Sequence, residues 1–274
     1  MLEDEFVDVF GKAMRGTRIS VEKLASITGL PKTDITEWAK GSSVPSDEQA
    51  RALALPLQLD PEKFADASAV RWHPEPIELP DVSAHEQHST VQSNGYIFFL
   101  EDSRRAALVD PAGSAQNLLR ILRDGSYDLE YILITHKHDD HCDAAADVAA
   151  AFPKANVVMH EADIFAIGDL ASRATLIEDG AELPFGDNAQ IKMLHTPGHT
   201  DGSSSFVFNS TVFTGDMLFA GSVGGAFGDA SSYSDILSSI RSRLFTLPDD
   251  TVVMPGHGPP SKIGWEKEHN PFFP

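Results

Sequence analysis

The sequence has 274 residues, of which 42% are hydrophobic, and it carries a formal net charge of −20. This length predicts one mid-sized domain with a small additional one. The negative charge argues against non-specific binding to nucleic acid or to anionic lipid. No apolar run approaches the roughly 18 to 20 residues of a membrane span, and the acidic start "MLEDEFVDVF" does not fit a signal peptide.

The cysteine content also indicates where the protein is located. A single cysteine, Cys142, excludes an internal disulfide and fits a reducing compartment. We therefore expect a cytoplasmic protein that does not contact membranes.

Residues 1–70 are predicted to form a small bundle of five short helices. The segment "EFVDVFGKAMR" has apolar residues at helical spacing, and Ser20 can cap "VEKLASITG". Ser46 and Gln49 form a capping-box pattern at the start of "SDEQARALAL". "DPEKFADA" completes the set.

Residues 71–76 are rich in proline and are predicted to be a linker. The remainder, residues 77–274, alternates between segments such as the strand "YILIT" and the helix "CDAAADVAAAF". Strands outnumber helices in this part. We therefore expect an α/β fold in which helices cover two sheets on the outside.

Residues 135–141 read "THKHDDH" and directly follow the apolar strand. Alternate side chains of an extended segment point the same way, so His136 and His138 lie on one side, roughly 6.5 Å apart at Cα. Asp140 and His141 come where the chain turns into the next helix. Imidazoles and a carboxylate in this arrangement are typical ligands for zinc, iron or manganese.

Further candidate ligands follow strands later in the chain. They are His199 in "HTPGHTDGS", Asp216 in "FTGDML" and His257 in "MPGHGPP", and each lies beside glycine. Seven ligands are too many for one tetrahedral ion and fit two divalent ions, zinc being the first expectation and iron or manganese the alternatives. Two ions that share the Asp216 carboxylate would generate a hydroxide nucleophile at neutral pH.

These four motifs, in this order, resemble the metallo-β-lactamase fold superfamily across roughly residues 77–274. "THKHDDH" matches its HxHxDH pattern. The resemblance implies an αββα sandwich with the metal site at the edge between the two sheets. It also implies a division of the ligands: His136, His138 and His199 for metal one, Asp140, His141 and His257 for metal two, and Asp216 as the bridge.

The C-terminal segment "PGHGPPSKIGWEKEHNPFF" resembles the ending of glyoxalase II-like hydrolases, GHGPxTxxGxExxxNPF. Persulfide dioxygenases of the same superfamily tend to read PGHDYxG there. After "TGDMLFAGSVG" relatives of both kinds usually carry an arginine, whereas this chain has Gly225. Such an arginine can pair with a substrate carboxylate, so its absence argues against a glutathione-like substrate.

The segment from "ISVEKLASITG" to "LQLDPEKF" resembles the helix-turn-helix of the Cro/C1 repressor family, with "PKTDITEWAKG" as its recognition helix. Electrostatics argue against DNA binding. Residues 1–70 contain 12 acidic and 8 basic residues, and Asp34 and Glu37 lie in the presumed recognition helix. We expect a scaffold used for homodimerisation or for covering the active-site mouth.

Three functions follow from the sequence. The leading hypothesis is a binuclear hydrolase of a thioester or similar ester, with Asp140 as the catalytic residue that holds metal two and orients the hydroxide. The second is a mononuclear iron dioxygenase acting on a persulfide, with His136, His138 and either Asp216 or His199 as ligands. The third is a regulator that senses a ligand and binds DNA.

Overall fold

The computed structural model describes residues 2–79, 81–89, 91–100, 103–227 and 231–274. The predicted capping box is present, because Ser46 and Gln49 each accept a hydrogen bond from the other's backbone N–H. Residues 71–79 have no regular secondary structure. The N-terminal helices number five, as predicted: α1 (Phe6–Thr17), α2 (Val21–Thr28), α3 (Lys32–Ala39), α4 (Asp47–Ala54) and α5 (Pro61–Ser68). Their assignment to a helix-turn-helix stays a prediction.

The rest of the described chain forms two six-stranded sheets and one small hairpin. The first sheet contains, in spatial order, β1 (Val82–His88), β2 (Gln92–Phe99), β3 (Arg105–Val109), β4 (Asp128–Leu133), β5 (Asn156–His160) and β6 (Ala174–Ile177). The second contains β14 (Ser261–Lys262), β13 (Val252–Pro255), β10 (Thr211–Gly215), β9 (Ser204–Phe208), β8 (Ala189–His195) and β7 (Glu182–Phe185). The hairpin pairs β11 (Leu218–Phe219) with β12 (Ser222–Val223).

The described residues also form five more α-helices, which follow β3 or later strands, and three 3-10 helices. The α-helices are α6 (Ala115–Asp124), α7 (Asp139–Cys142), α8 (Ala145–Ala151), α9 (Tyr233–Ser242) and α10 (Ile263–His269). The 3-10 helices are Leu55–Leu57, Glu161–Arg173 and Leu244–Thr246. Within the described ranges, no helix has both the length and the apolar character needed to cross a membrane.

Alternation along the strands divides the core into layers. In β2, Ile97 packs with α6 and α8, whereas Phe98 faces the second sheet. In β10, Val212 packs with α9 and α10, whereas Phe213 joins Phe98, with ring centroids 5.0 Å apart. Each sheet therefore has one face in the central layer and one face under helices, which confirms the predicted mixed α/β sandwich.

The N-terminal helices share a hydrophobic core with the second sheet. Phe6, Phe10 and Phe64 form an aromatic group and belong to the same buried cluster as Ile236 of α9 and Phe272 near the C-terminus. Burial of apolar surface stabilises both parts at once, at roughly 25 cal/mol per Å². The helical region thus shares a buried core with α9 and the C-terminal segment, on the outer side of the second sheet, in addition to being joined to the rest of the chain by the linker.

The C-terminal motif "GWEKEHNPFF" is fastened by a buried carboxylate. Glu266 accepts hydrogen bonds from the Gly221 N–H at 3.0 Å, from the Asn270 amide at 2.8 Å and from the Ser261 hydroxyl. Asn270 also donates to the Ser222 carbonyl at 2.9 Å, so α10 holds the turn of the small hairpin. Burial raises the pKa of Glu266 from 4.5 to about 7, against the opposing effect of its three donors.

We expect Glu266→Gln to change how stability depends on pH. In the folded protein the pKa of Glu266 lies above its unfolded value, so its proton stabilises the fold below about pH 4.5 and this contribution is lost as pH rises through about 7. Glutamine cannot lose that proton. Between pH 5 and 8 the wild type should therefore lose on the order of 3 kcal/mol of unfolding free energy relative to the variant.

Urea unfolding at the two pH values measures this difference. The matched control is Glu268→Gln, an exposed glutamate of the same helix, which should follow the wild type. Equal pH dependence for wild type and Glu266→Gln would show that the carboxyl group is ionised throughout.

Candidate metal centre

The seven predicted ligands lie where strands of both sheets end at one edge of the sandwich. The motif at residues 135–141 leaves the first sheet after β4 and turns into α7. Asp216 and His257 follow β10 and β13, which are parallel and place Gly215 opposite Pro255. Because parallel strands end at the same edge of a sheet, the two ligand side chains come together.

At two positions beside the ligands only glycine fits, because a side chain would have no space. A Cβ atom on Gly256 would lie 2.3 Å from Asp216 Oδ1 and 2.7 Å from His141 Cε1. Gly215 has φ +49°, and a Cβ atom there would lie 2.4 Å from Thr135 Oγ1. Any side chain at either position would displace a predicted ligand or its support.

The first group of converging ligand atoms consists of His136, His138, His199 and Asp216. His138 Nδ1 lies 3.1 Å from His136 Nε2 and 2.9 Å from His199 Nε2. Asp216 Oδ2 lies 3.5 Å from His199 Nε2 and 4.0 Å from His136 Nε2. These are the three histidines predicted for metal one together with the predicted bridge.

The second group consists of Asp140, His141 and His257. Asp140 Oδ2 lies 3.4 Å from both His141 Nε2 and His257 Nε2. Asp216 connects the groups, because its Oδ1 lies 3.4 Å from His141 Nε2 and its Oδ2 lies 3.5 Å from His257 Nε2. The structure thus brings together all seven residues; that each binds a metal stays a prediction.

Hydrogen bonds behind the rings determine which nitrogen of three histidines carries the proton. His199 Nδ1 lies 2.7 Å from the Gly225 carbonyl and must donate to it. His141 Nδ1 lies 2.9 Å from Asp110 Oδ2 and also donates. Thr135 gives its hydroxyl proton to Asp110 Oδ2, so its oxygen can only accept from His136 Nδ1, at 3.0 Å.

When these rings are neutral, their inner nitrogens therefore carry no proton and can bind a metal. His141 Nε2 and Asp216 Oδ1 are buried and have no hydrogen-bond partner among the described residues. Ligand atoms that hold one ion tetrahedrally at about 2.1 Å lie about 3.4 Å apart, close to the separations within both groups. The two His/Asp groups thus fit divalent metal ions.

The charges of the site also favour a cation. Burial, and then the neighbouring His141, hold the pKa of His136 well below its usual range, so His136 stays neutral. Burial alone would raise the pKa of Asp216. The neighbouring His141 and His257 have the larger, opposite effect and hold this pKa well below its usual value. For His257 the neighbouring carboxylates outweigh burial and raise its pKa to about 10. Protons and metal therefore compete for this second group.

Asp110 is a buried residue that the sequence analysis did not identify. Its Oδ1 accepts from the Thr135 N–H at 2.8 Å, and its Oδ2 accepts from the Thr135 hydroxyl at 2.8 Å as well as from His141. It follows β3 directly in "ALVDPAG" and has φ +54°. An aspartate immediately after a buried strand was the available signal, since Asp216 shows the same pattern.

Asp163 is a second buried carboxylate that positions the ligand loops. Its Oδ2 accepts from the Lys137 N–H at 3.2 Å and from the Thr200 hydroxyl at 2.6 Å. Lys137 lies between two predicted ligands, and Thr200 follows a third. Asp163 thus joins the two ligand loops to each other behind the metal site.

Gly225, where relatives usually carry arginine, contributes its backbone to the site through the hydrogen bond from His199. A Cβ atom at this position would lie 2.1 Å from the ring of Phe227. The phenyl ring therefore occupies the space that a side chain at position 225 would need.

The αββα sandwich and its paired His/Asp groups define a class of metalloprotein in which strand ends of two sheets carry the ligands. The model of the Metallo-beta-lactamase superfamily matches residues 90–257. This match covers more than half of the sequence, and the chain belongs to that superfamily.

Individual relatives are similar in the same part of the chain. Hydroxyacylglutathione hydrolase GloC of Haemophilus influenzae is 33% identical over 213 residues, which cover 72% of this chain and 97% of the relative. The crystal structure of BLEG-1 B3 metallo-beta-lactamase superposes with a TM-score of 0.63 at 31% identity, over 70% of this chain and 98% of that chain. TTHA1623 in a di-iron-bound form gives a TM-score of 0.59 at 31% identity, over 68% of this chain and 98% of that one.

We expect Asp110→Asn to lower the affinity for a divalent metal by about 10- to 100-fold, because His141 and Thr135 lose the carboxylate that orients them. Asparagine is chosen since it tolerates the positive φ at this position. Competition with a chromogenic chelator measures the affinity, and circular dichroism reports on folding.

Asp139→Asn is the matched control, since Asp139 is exposed in the ligand motif itself, and it should bind metal like the wild type. Wild-type affinity in a folded Asp110→Asn protein would mean that the buried carboxylate does not orient the ligands.

Proposed function

We propose that this protein is a hydrolase of a thioester or a related ester that acts in the cytoplasm with two divalent ions. The observation that carries the proposal is the position of Asp216 between the two ligand groups. Its Oδ1 lies 3.4 Å from His141 Nε2, and its Oδ2 lies 3.5 Å from His199 Nε2. One carboxylate that faces both groups supports a pair of ions sharing a bridge. Zinc suits these nitrogen and oxygen ligands, with iron or manganese as alternatives.

When bound, two such ions supply a hydroxide at neutral pH and polarise a carbonyl group. The residues of the chain hold and orient the reacting groups. Burial raises the pKa of Asp140, but the neighbouring His141 and His257 lower it well below the usual value. Asp140 therefore stays ionised and can accept a hydrogen bond from the attacking water, which is the catalytic role predicted for it.

The name of one relative supports thioester hydrolysis. A protein that is 33% identical over 97% of its own length is named a hydroxyacylglutathione hydrolase, which by that name cleaves a thioester. The superfamily match spans the ligand motif and ends at His257. We extend the reaction class to this chain and leave the acyl group open.

A mononuclear iron dioxygenase is the second candidate, and the similarity to the structure of ETHE1 from Myxococcus xanthus, with a TM-score of 0.59 at 29% identity, gives it a basis. It would use the first group and leave Asp140 without a metal. The second group argues against it, since Asp140, His141 and His257 converge as closely as the first group.

A DNA-binding regulator has less support. The candidate recognition helix α3 carries Asp34 and Glu37, and Lys32 at its start is paired with Glu22 at 2.6 Å. Phosphates would meet little free positive charge there. Binding of the protein to genomic DNA fragments at low salt would support the DNA-binding hypothesis.

We expect the metal-loaded protein to hydrolyse S-lactoylglutathione or a simple acyl thioester in a thiol-release assay. His136→Ala removes a predicted ligand, so the rate should fall at least about a hundredfold. Loss of a residue that only orients a ligand typically costs about 10- to 100-fold. His73→Ala, an exposed histidine outside both ligand groups, should keep wild-type rates. Absence of turnover above His136→Ala across a panel of thioesters and lactones would reject the proposal.

Metal analysis of the same preparation separates the two enzyme candidates. Two zinc ions per chain favour the hydrolase. One iron per chain, with oxygen uptake on a persulfide, favours the dioxygenase.

A further inference from the structure

A cleft of about 760 Å³ lies between α1 of the helical region and the start of α9. Its volume falls within the range of small-molecule sites. We name it the α1 cleft and define it by six of its lining residues: Lys12, Arg15, Arg18, Ser231, Tyr233 and Arg241.

The charge of the α1 cleft is opposite to that of the protein. Among the described residues, its lining includes four basic residues and no acidic one, in a chain with a net charge of −20. Lys12 is paired with Asp4. Arg15, Arg18 and Arg241 form no ion pair with a carboxylate of the described residues. Arg15 and Arg18 are exposed and thus available to an anion, whereas Arg241 also donates to the Phe272 carbonyl at 3.3 Å.

The α1 cleft adjoins the metal centre through Gly224 and through the side chain of Ser231. Gly224 lines the cleft, and a Cβ atom on it would lie 3.6 Å from His199 Nδ1. Ser231 also lines the cleft and donates to the His199 carbonyl at 2.7 Å. A ligand in the cleft therefore lies next to a loop that carries a predicted metal ligand.

A third contact comes from α1 itself. Lys12 Nζ donates to the Val223 carbonyl at 2.7 Å and lies 4.9 Å from the ring centroid of Phe219. The Phe219 ring meets His257 edge-on, with centroids 5.7 Å apart. Helix α1 thus contacts the segment 219–227, which in turn contacts His199 and His257.

Arg15 brings a positive charge to the loop at Gly225. Its guanidinium carbon lies 5.5 Å from the ring centroid of Phe227, and that ring covers Gly225. Stacking on an aromatic face holds the guanidinium in place while its N–H groups stay free to bind a carboxylate or phosphate.

Close packing fixes the position of α1 against α9. A Cβ atom on Gly16 would lie 2.3 Å from the Tyr233 ring, so the ring rests directly on the helix backbone. The Tyr233 hydroxyl is buried and has no hydrogen-bond partner within the described part of the chain.

We propose that the α1 cleft binds the anionic thiol carrier of the substrate, with Arg15 and Arg18 as specificity-determining residues. The inference rests on the proposed thioester hydrolysis and adds the substrate class: a thioester whose carrier bears carboxylates or phosphates. The helical region supplies the positive charge that Gly225 does not.

Kinetics of the double variant Arg15→Gln/Arg18→Gln test the proposal. The substrates are S-lactoylglutathione, acetyl-coenzyme A, and the lactoyl and acetyl thioesters of the neutral thiol N-acetylcysteamine. We expect kcat/KM for the preferred anionic substrate to fall at least about tenfold, through KM, because charge-assisted hydrogen bonds are lost. The matching neutral thioester should change less than about twofold. A fall with S-lactoylglutathione indicates that the cleft binds carboxylates, and a fall with acetyl-coenzyme A indicates that it binds phosphates.

Arg123→Gln is the matched control. Arg123 is exposed on α6, which does not line the cleft, and its loss should leave all four rates unchanged. An equal fall for charged and neutral thioesters, or no fall at all, would overturn the proposal.

Equilibrium binding separates this proposal from the proposed reaction. Calorimetry with S-methylglutathione and with S-methyl-coenzyme A requires no turnover. Binding of one of them by the wild type and its loss in Arg15→Gln/Arg18→Gln would support the cleft even if no thioester is hydrolysed. Equal affinity in both proteins, or no binding of either molecule, would overturn it.

Discussion

The orientation of the predicted ligands depends on the buried carboxylate of Asp110. It accepts three hydrogen bonds, two from Thr135 and one from His141, and Thr135 in turn orients His136. A buried carboxylate is costly without such partners, since the effective penalty is several kcal/mol per ion. The three donors offset this cost and simultaneously fix rings that belong to both ligand groups. One side chain at the end of β3 therefore organises both halves of the metal centre.

The second constraint is that the strand ends of the two sheets must keep fixed positions relative to each other. The Ser204 N–H donates to the Thr135 carbonyl at 2.9 Å, and the Asn94 N–H donates to the Gly256 carbonyl at 2.8 Å. The Tyr96 hydroxyl donates to the Pro255 carbonyl at 2.6 Å. These bonds cross from one sheet to the other at the edge where the ligands lie. The site is consequently positioned by backbone groups of both sheets, which are less adaptable than side chains.

The sequence predicted those parts of the site that depend on local geometry. His136 and His138 follow from the two-residue period of an extended segment, and Asp216 and His257 follow from their position after apolar strands. Asp110 escaped prediction because its role depends on the neighbouring strand β4, which the residues around it do not reveal. Strand β1 escaped because it has no clear alternation of apolar and polar residues, and its register comes from pairing with β2.

The helical region shows the same distinction between local and tertiary information. Capping residues such as Ser20 and Ser46 predicted its helices, because a cap acts within one turn. They could not predict that Phe6 and Phe10 would share a buried cluster with Ile236 across the domain boundary, since an apolar helix face specifies burial but not its partner. The shared core holds α1 in a defined position against the catalytic fold. The positive charges on α1 therefore have a fixed position beside the His199 loop. If the linker were the only attachment, these charges would have no fixed position.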